Sequence, residues 1–144
     1  MIIIPYYEDS NFCFSNFSAH SISFKDKTYP TAEHAFHAQK FQDASIVNKI
    51  INAKSPLEAL QLGKRYKNER RADWDEAKVG ILYEILKEKV VQHSEVKETL
   101  LATGDEEIIE ISPSDFWGNG INGKGQNQCG KILMKIRYEI KDIS

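Results

Sequence analysis

Glu33, His37 and Lys40 are the first side chains whose types and spacing could do chemistry. They lie in Thr31-Ala32-Glu33-His34-Ala35-Phe36-His37-Ala38-Gln39-Lys40, and a helix through this stretch brings positions 33, 37 and 40 to one face. A carboxylate, an imidazole and an amine along one wall of a cavity can exchange protons with a bound substrate. The same spacing also describes an exposed Glu–His pair beside an ordinary surface lysine, and the residues alone leave both readings open. Glu33 falls near the helix N-terminus, where the dipole favours a carboxylate. His34 and His37 raise the question of a metal, but the order is Glu-His-x-x-His, the reverse of the metalloprotease motif, and no third ligand cluster accompanies it. No metal is expected.

Two further groups carry possible ligand chemistry. Lys64, Arg65, Lys67, Arg70 and Arg71 fall within eight residues. Guanidinium forks match phosphate oxygens, so this connector could hold a phosphate, and it could equally be a solvated loop. From Asp115 to Gly130 the chain carries five of its eight glycines, with Trp117, Gly118, Gly120 and Asn127 among them. Such a stretch leaves backbone N–H groups open to an anion or a closely approaching sugar, or it is a turn-rich connector. It is neither a P-loop nor a dinucleotide fingerprint, because it lacks the Gly-Lys-Ser/Thr ending and the feeding strand. Trp74 and Trp117 are the two tryptophans; each is either core or a flat wall for a base or sugar.

The elements that must position these groups can be read from periodicity and caps. Residues 2–4 and 21–29 are predicted as strands, the latter folded on a turn at Asp26-Lys27, which makes a small antiparallel sheet. Thr31 caps a helix to about Phe41, and another covers about 44–53. Ser55-Pro56-x-Glu58 opens a helix that Gly63 is expected to end. Asp73 and Glu76 open the longest helix, about 74–92, with Trp74, Ala77, Ile81, Ile85 and Val90 facing the core. A helix over about 94–102, a strand near 108–111 and a loop over 112–128 follow. Asn127 then caps a last helix, about 128–141, with Ile132, Leu133, Ile136 and Ile140 inward.

A length of 144 residues suits one domain spanning the chain, with 41% hydrophobic and 28% charged residues, a globular composition. A net charge of −2 excludes a globally basic nucleic-acid or membrane binder, so anion binding must be local. Cys13 and Cys129 are far apart in sequence, which suits unbridged thiols in a reducing compartment. No secretory pattern follows Met1, and no apolar run reaches membrane-span length. A cytoplasmic protein with no membrane partner is expected.

Taken in order, Phe14-Ser15-Asn16-Phe17, Tyr29-Pro30-Thr31-Ala32-Glu33-His34, Gln39-Lys40, Gly63 with its basic successor, Trp74, and Trp117-Gly118-x-Gly120…Gly125-x-Asn127…Gly130 resemble the NADAR (YbiA-like) family of N-glycosidases. The resemblance covers nearly the whole chain. It implies a mainly helical α+β fold and hydrolysis of N-glycosidic bonds of ribose; protonation and water addition suffice for that reaction, so no cofactor is expected. The implied substrates are phosphoribosylated intermediates of riboflavin synthesis, the 5-amino-6-ribosylamino-pyrimidine phosphates. Alternatives are removal of ADP-ribose from guanine in nucleic acid, or a module that binds ADP-ribose without cleaving it. By position, the resemblance puts Glu33 and Trp74 in the active site, together with an acidic residue before Trp117. Relatives place that aspartate three residues ahead of the tryptophan, where Ser114 stands here, so Asp115 is the carboxylate carried over. Glu33, Asp115 and Lys40 are thus the expected catalytic groups. Asn16, His37, Lys64, Arg65, Arg70, Arg71, Trp74, Trp117, Gly118, Gly120 and Asn127 are the expected substrate contacts.

Overall fold

The structure is a computed structural model and describes residues 1–5 and 11–141. It is α+β: among the described residues there are six α-helices, one antiparallel strand pair and one parallel pair. The chain divides into two compact units, Asn16–Gln92, and residues 1–15 with the chain from His93 onward.

In the unit Asn16–Gln92, strands β2 (Ile22–Phe24) and β3 (Lys27–Tyr29) form a hairpin with Ile22 opposite Tyr29 and Phe24 opposite Lys27. Ile22, Phe24 and Tyr29 are buried while Ser23 is exposed. The turn is Lys25-Asp26, both at positive φ (50° and 69°), one residue earlier than the sequence predicts. Two such residues match the right-handed twist of the strands they join. Along the other side of β2, the Gln92 side chain accepts from Ser23 N–H and donates to Ser23 C=O, both at 2.8 Å, as a neighbouring strand would.

Helix α1 (Ala32–Ala38) is short and almost wholly inside: every residue except Glu33 is buried. Thr31 caps it, its hydroxyl accepting from His34 N–H at 3.1 Å. The helix closes earlier than expected, on bonds from Lys40 N to His37 O and from Phe41 N to Ala38 O. These i→i−3 bonds tighten the last turn. Around α1 lie α2 (Ala44–Ile51), α3 (Pro56–Arg65) and α4 (Trp74–Gln92). Helix α3 starts as expected, with Ser55 Oγ accepting from Glu58 N–H at 3.0 Å. It does not stop at Gly63; it runs on to Arg65. On α4, Trp74, Ile81, Ile85 and Val90 are buried and Ala77 is half-buried.

In the other unit, β1 (Ile2–Ile4) pairs in parallel with β4 (Ile108–Glu110), Ile2 opposite Ile108. Helices α5 (Ser94–Ala102) and α6 (Gln128–Ile140) accompany the pair, and Ile132, Leu133, Ile136 and Ile140 are buried as predicted. Asn127 does not cap α6 with its side chain. It is left-handed (φ 54°), and its amide accepts from Glu110 N–H at 2.9 Å and donates to Ile108 C=O at 2.8 Å. Asn tolerates this conformation, so it can brace β4 where a capping residue would be extended. Asn127→Ala removes both bonds and leaves a strained backbone, and is expected to cost about 2–4 kcal/mol. A denaturant titration reads this directly; a loss below about 0.5 kcal/mol would show that the brace is dispensable.

Candidate active site

The arrangement around Glu33 is built by α1 and what packs on it. The Glu33 backbone N–H donates to Asn16 C=O at 3.0 Å, fixing the first turn. Its carboxylate Oε1 is 2.6 Å from His37 Nε2. The Glu33 side chain is 13% exposed and that of His37 only 5%, so the carboxylate is the half of the pair that solutes can reach. Burial pushes the His37 imidazole below its ordinary value, against the Glu33 carboxylate, which raises it; Lys40 and Lys64 add to the lowering. The shift favours the neutral form of the ring.

His34 takes no part in this pair. Its Nε2–H donates to Ala53 C=O at 3.0 Å and its Nδ1 lies 2.8 Å from Thr31 Oγ1, so both nitrogens serve the fold. Among the described residues, no three His, Cys, Asp or Glu side chains gather as a metal site.

Lys40 leaves the end of the helix over aromatic faces. Its Nζ is 5.6 Å from the Trp74 ring centroid and 5.9 Å from that of Phe36, and the two rings are themselves 5.0 Å apart. Burial lowers Lys40 to about 8; Glu33 opposes the shift, while Arg70, Lys64 and Lys78 reinforce it. Desolvation penalises the ammonium, and three neighbouring cations penalise it further. Trp74 is only 3% exposed. Of its two expected fates, core and stacking wall, burial favours the first: a base could reach its ring only by displacing what covers it.

The basic connector is divided by its tertiary surroundings. Lys64 and Arg70 act electrostatically on Lys40, and Arg70 Nη2 also lies 3.6 Å from Asp75 Oδ2. Arg71 is taken up by Asp73, which accepts from its Nε at 2.6 Å and its Nη2 at 2.8 Å. Lys49, whose Nζ donates to its oxygen at 3.0 Å, and Arg65 instead draw down the phenol of the half-buried Tyr66. Lys78 is a neighbour of Lys40 that no motif marks, although i,i+4 spacing from Trp74 puts it one turn along the same face of α4.

The glycine-rich segment is an ordered loop in the other unit. Ser114 Oγ accepts from Trp117 N–H at 2.9 Å and from Phe116 N–H at 3.3 Å, so Ser114 opens the turn. Asp115 is exposed. Its carboxylate lies against Gly120, whose φ of 74° and lack of a side chain leave it room. Trp117 is half-buried and meets Phe116 edge-on at 4.7 Å. Gly118 is buried, and its carbonyl accepts from Asn127 N–H at 2.9 Å. Asn127, expected against substrate, has both ends of its amide committed to β4. The structure thus gathers Glu33, His37, Lys40, Trp74, Lys64 and Arg70 in one unit. Asp115, Trp117, Gly118, Gly120 and Asn127 are gathered in the other.

Residues 5–141 match the family model described as the NADAR domain. The chain belongs to the NADAR family. Within it, the chain is 44% identical to an N-glycosidase of Nostoc punctiforme, over 91% of this chain and 86% of that protein. It is 38% identical to the N-glycosidase YbiA of Escherichia coli, over 88% of this chain and 80% of the relative. A riboflavin biosynthesis protein of Vibrio vulnificus is also 38% identical, over 96% of this chain but 39% of that longer protein. The solution structure of E. coli YbiA superimposes with a TM-score of 0.87 at 36% identity, covering 99% of this chain and 86% of that one. The NADAR fold is therefore shared at the level of both sequence and structure.

Proposed function

We propose that this NADAR protein hydrolyses the N-glycosidic bond between a phosphorylated ribose and a nitrogen base, and that phosphoribosylated aminopyrimidines of riboflavin synthesis are its preferred class. The observation that carries the reading is Glu33: it is the sole residue of α1 outside the core, its carboxylate is bonded to a buried histidine, and cations lie close by. N-glycosidase relatives support the reaction type, and the riboflavin biosynthesis relative supports the substrate class.

As the bond from the anomeric carbon to nitrogen lengthens, positive charge develops on the sugar. A carboxylate beside that carbon stabilises the charge and takes a proton from the attacking water. Glu33 has this role. The water oxygen bonds to the anomeric carbon, and the departing nitrogen keeps the bonding electrons and needs a proton. Lys40 supplies it: with a value of about 8 it is mostly protonated at pH 7 yet far more acidic than an ordinary lysine.

Lys64, Arg70 and Lys78 are the phosphate ligands in this reading. Arg70→Ala is expected to raise KM for the phosphorylated substrate about tenfold, the worth of one charge-assisted bond, and to change KM for its dephosphorylated form less than about twofold. Arg71→Ala should do little to either, since that guanidinium is already filled by Asp73. Equal effects of Arg70→Ala on both forms would remove the phosphate assignment. The substrate class itself is tested by comparing kcat/KM for a 5-amino-6-ribosylamino-pyrimidine phosphate with that for ADP-ribosylated guanine. Preference for the second would replace the metabolic reading with reversal of ADP-ribosylation.

A further inference from the structure

The position of His37 is over-determined. Its ring stands edge-on to Phe36 at 5.4 Å between centroids, and Nε2 holds Glu33 Oε1 at 2.6 Å. Nδ1 is buried and, among the described residues, has no hydrogen-bond partner. What faces Nδ1 is Gly63 of α3, where an added Cβ would lie 2.6 Å from that nitrogen and 3.2 Å from Cγ. Real Cβ atoms essentially never come so close, so the ring can stand here only because residue 63 has no side chain.

The unpartnered nitrogen decides the tautomer. A buried N–H with no acceptor is rarer and costlier than a buried lone pair, so the proton belongs on Nε2, and Nε2–H donates to Glu33. Gly63 also sits inside a helix, without a positive φ, where alanine would be favoured by about 1 kcal/mol. Backbone preference therefore gives no reason for glycine at this position; the close approach of His37 does.

We propose that His37 is a positioning residue, its Nε2–H fixing the Glu33 carboxylate for reaction, and that Gly63 serves the site by making room for the ring. His37 then does not touch substrate, although its place on the helix face suggests a contact or a proton donor. The inference rests on the reading of Glu33 as the reacting carboxylate. A free carboxylate samples several orientations; one held by a buried donor is already placed, and such placement lowers the barrier without changing ground-state binding.

The test is a set of variants assayed for steady-state turnover of the phosphoribosyl substrate, each checked for folding by thermal unfolding. His37→Phe, which fills the space but cannot donate, is expected to lower kcat about 10- to 100-fold with KM within about twofold. His37→Gln, whose amide can donate from nearly the same place, should recover most of the loss. Gly63→Ala should lower kcat by pushing the ring aside, and the double variant Gly63→Ala/His37→Phe should be no slower than His37→Phe alone, because both act through one bond. Additive losses, or equal turnover of the Phe and Gln variants, would overturn the proposal. Glu33→Gln assayed beside them separates the two levels. If it is inactive while His37→Phe turns over normally, only the positioning role fails; if it is active, the reading beneath it fails as well.

Discussion

Glu33→Gln is expected to reduce kcat/KM by about a thousandfold or more while the protein stays folded. The substitution keeps size and shape but removes the negative charge that must face the developing positive charge at the anomeric carbon, and it removes the acceptor for the water proton. Losing one electrostatic stabiliser typically costs about 10²–10³ in rate, and losing general-base assistance about 10²–10⁴. The two roles fall on one carboxylate, so the larger end of these ranges applies. The side chain is reachable by solvent and is the exception in an otherwise buried helix. Its replacement should therefore leave the thermal midpoint within a few degrees of the original. A fully folded variant with near-normal turnover would take Glu33 out of the chemistry.

The second large effect concerns Lys40 and pH. Its amine titrates at about 8. As a proton donor it is competent below that value and spent above it, so kcat is expected to fall through a descending limb near pH 8. Lys40→Met should abolish the limb and cost about a hundredfold at pH 7, the usual worth of a positioned acid. The lowered value also favours a different chemistry, since about a tenth of the amine is neutral at pH 7 and could attack ring-opened ribose to form a Schiff base. That route has the opposite sign: the rate would rise toward pH 8 as the nucleophile is uncovered. Borohydride added during turnover would then trap a covalent adduct. A descending limb with no adduct supports the donor.

These groups differ in how plainly the sequence carries them. Glu33, His37 and Lys40 are visible together because helical periodicity is local, and Thr31 marks the start of the helix within two residues of Glu33. The same logic misplaces the end of α3. Gly63 reads as a stop when only its neighbours in sequence are considered, whereas its reason for being glycine lies across the unit in His37. Asn127 is misjudged for a related reason. A cap is the local role of asparagine before a helix, and the β4 backbone that claims its amide is 17 and 19 residues away. The parallel pair β1–β4 joins residues more than a hundred positions apart, so no turn signal announces it, unlike the hairpin at Lys25-Asp26.

The basic connector shows the limit of composition. Five cations in eight residues suggest one anion site, but α3 continues through Lys64 and Arg65, Asp73 claims Arg71, and Tyr66 stands beside Arg65. Lys64 and Arg70 act on Lys40 together with Lys78 from a different element, and Arg70 and Lys78 share Asp75 as a counterion at 3.6 and 3.4 Å. Ser114 is similarly informative. Its hydroxyl accepts from the Trp117 N–H and opens the turn, a role the residue types alone do not announce.

In this reading the protein breaks a ribosyl–nitrogen bond rather than merely holding its ligand. The most direct measurement is chromatography of the purified protein incubated with a 5-amino-6-ribosylamino-pyrimidine phosphate, with the Glu33→Gln protein in parallel. Free pyrimidine and ribose 5-phosphate appearing one for one over many turnovers, and only with the unaltered protein, is the expected result. Tight binding of an intact substrate with no product from either protein would contradict it.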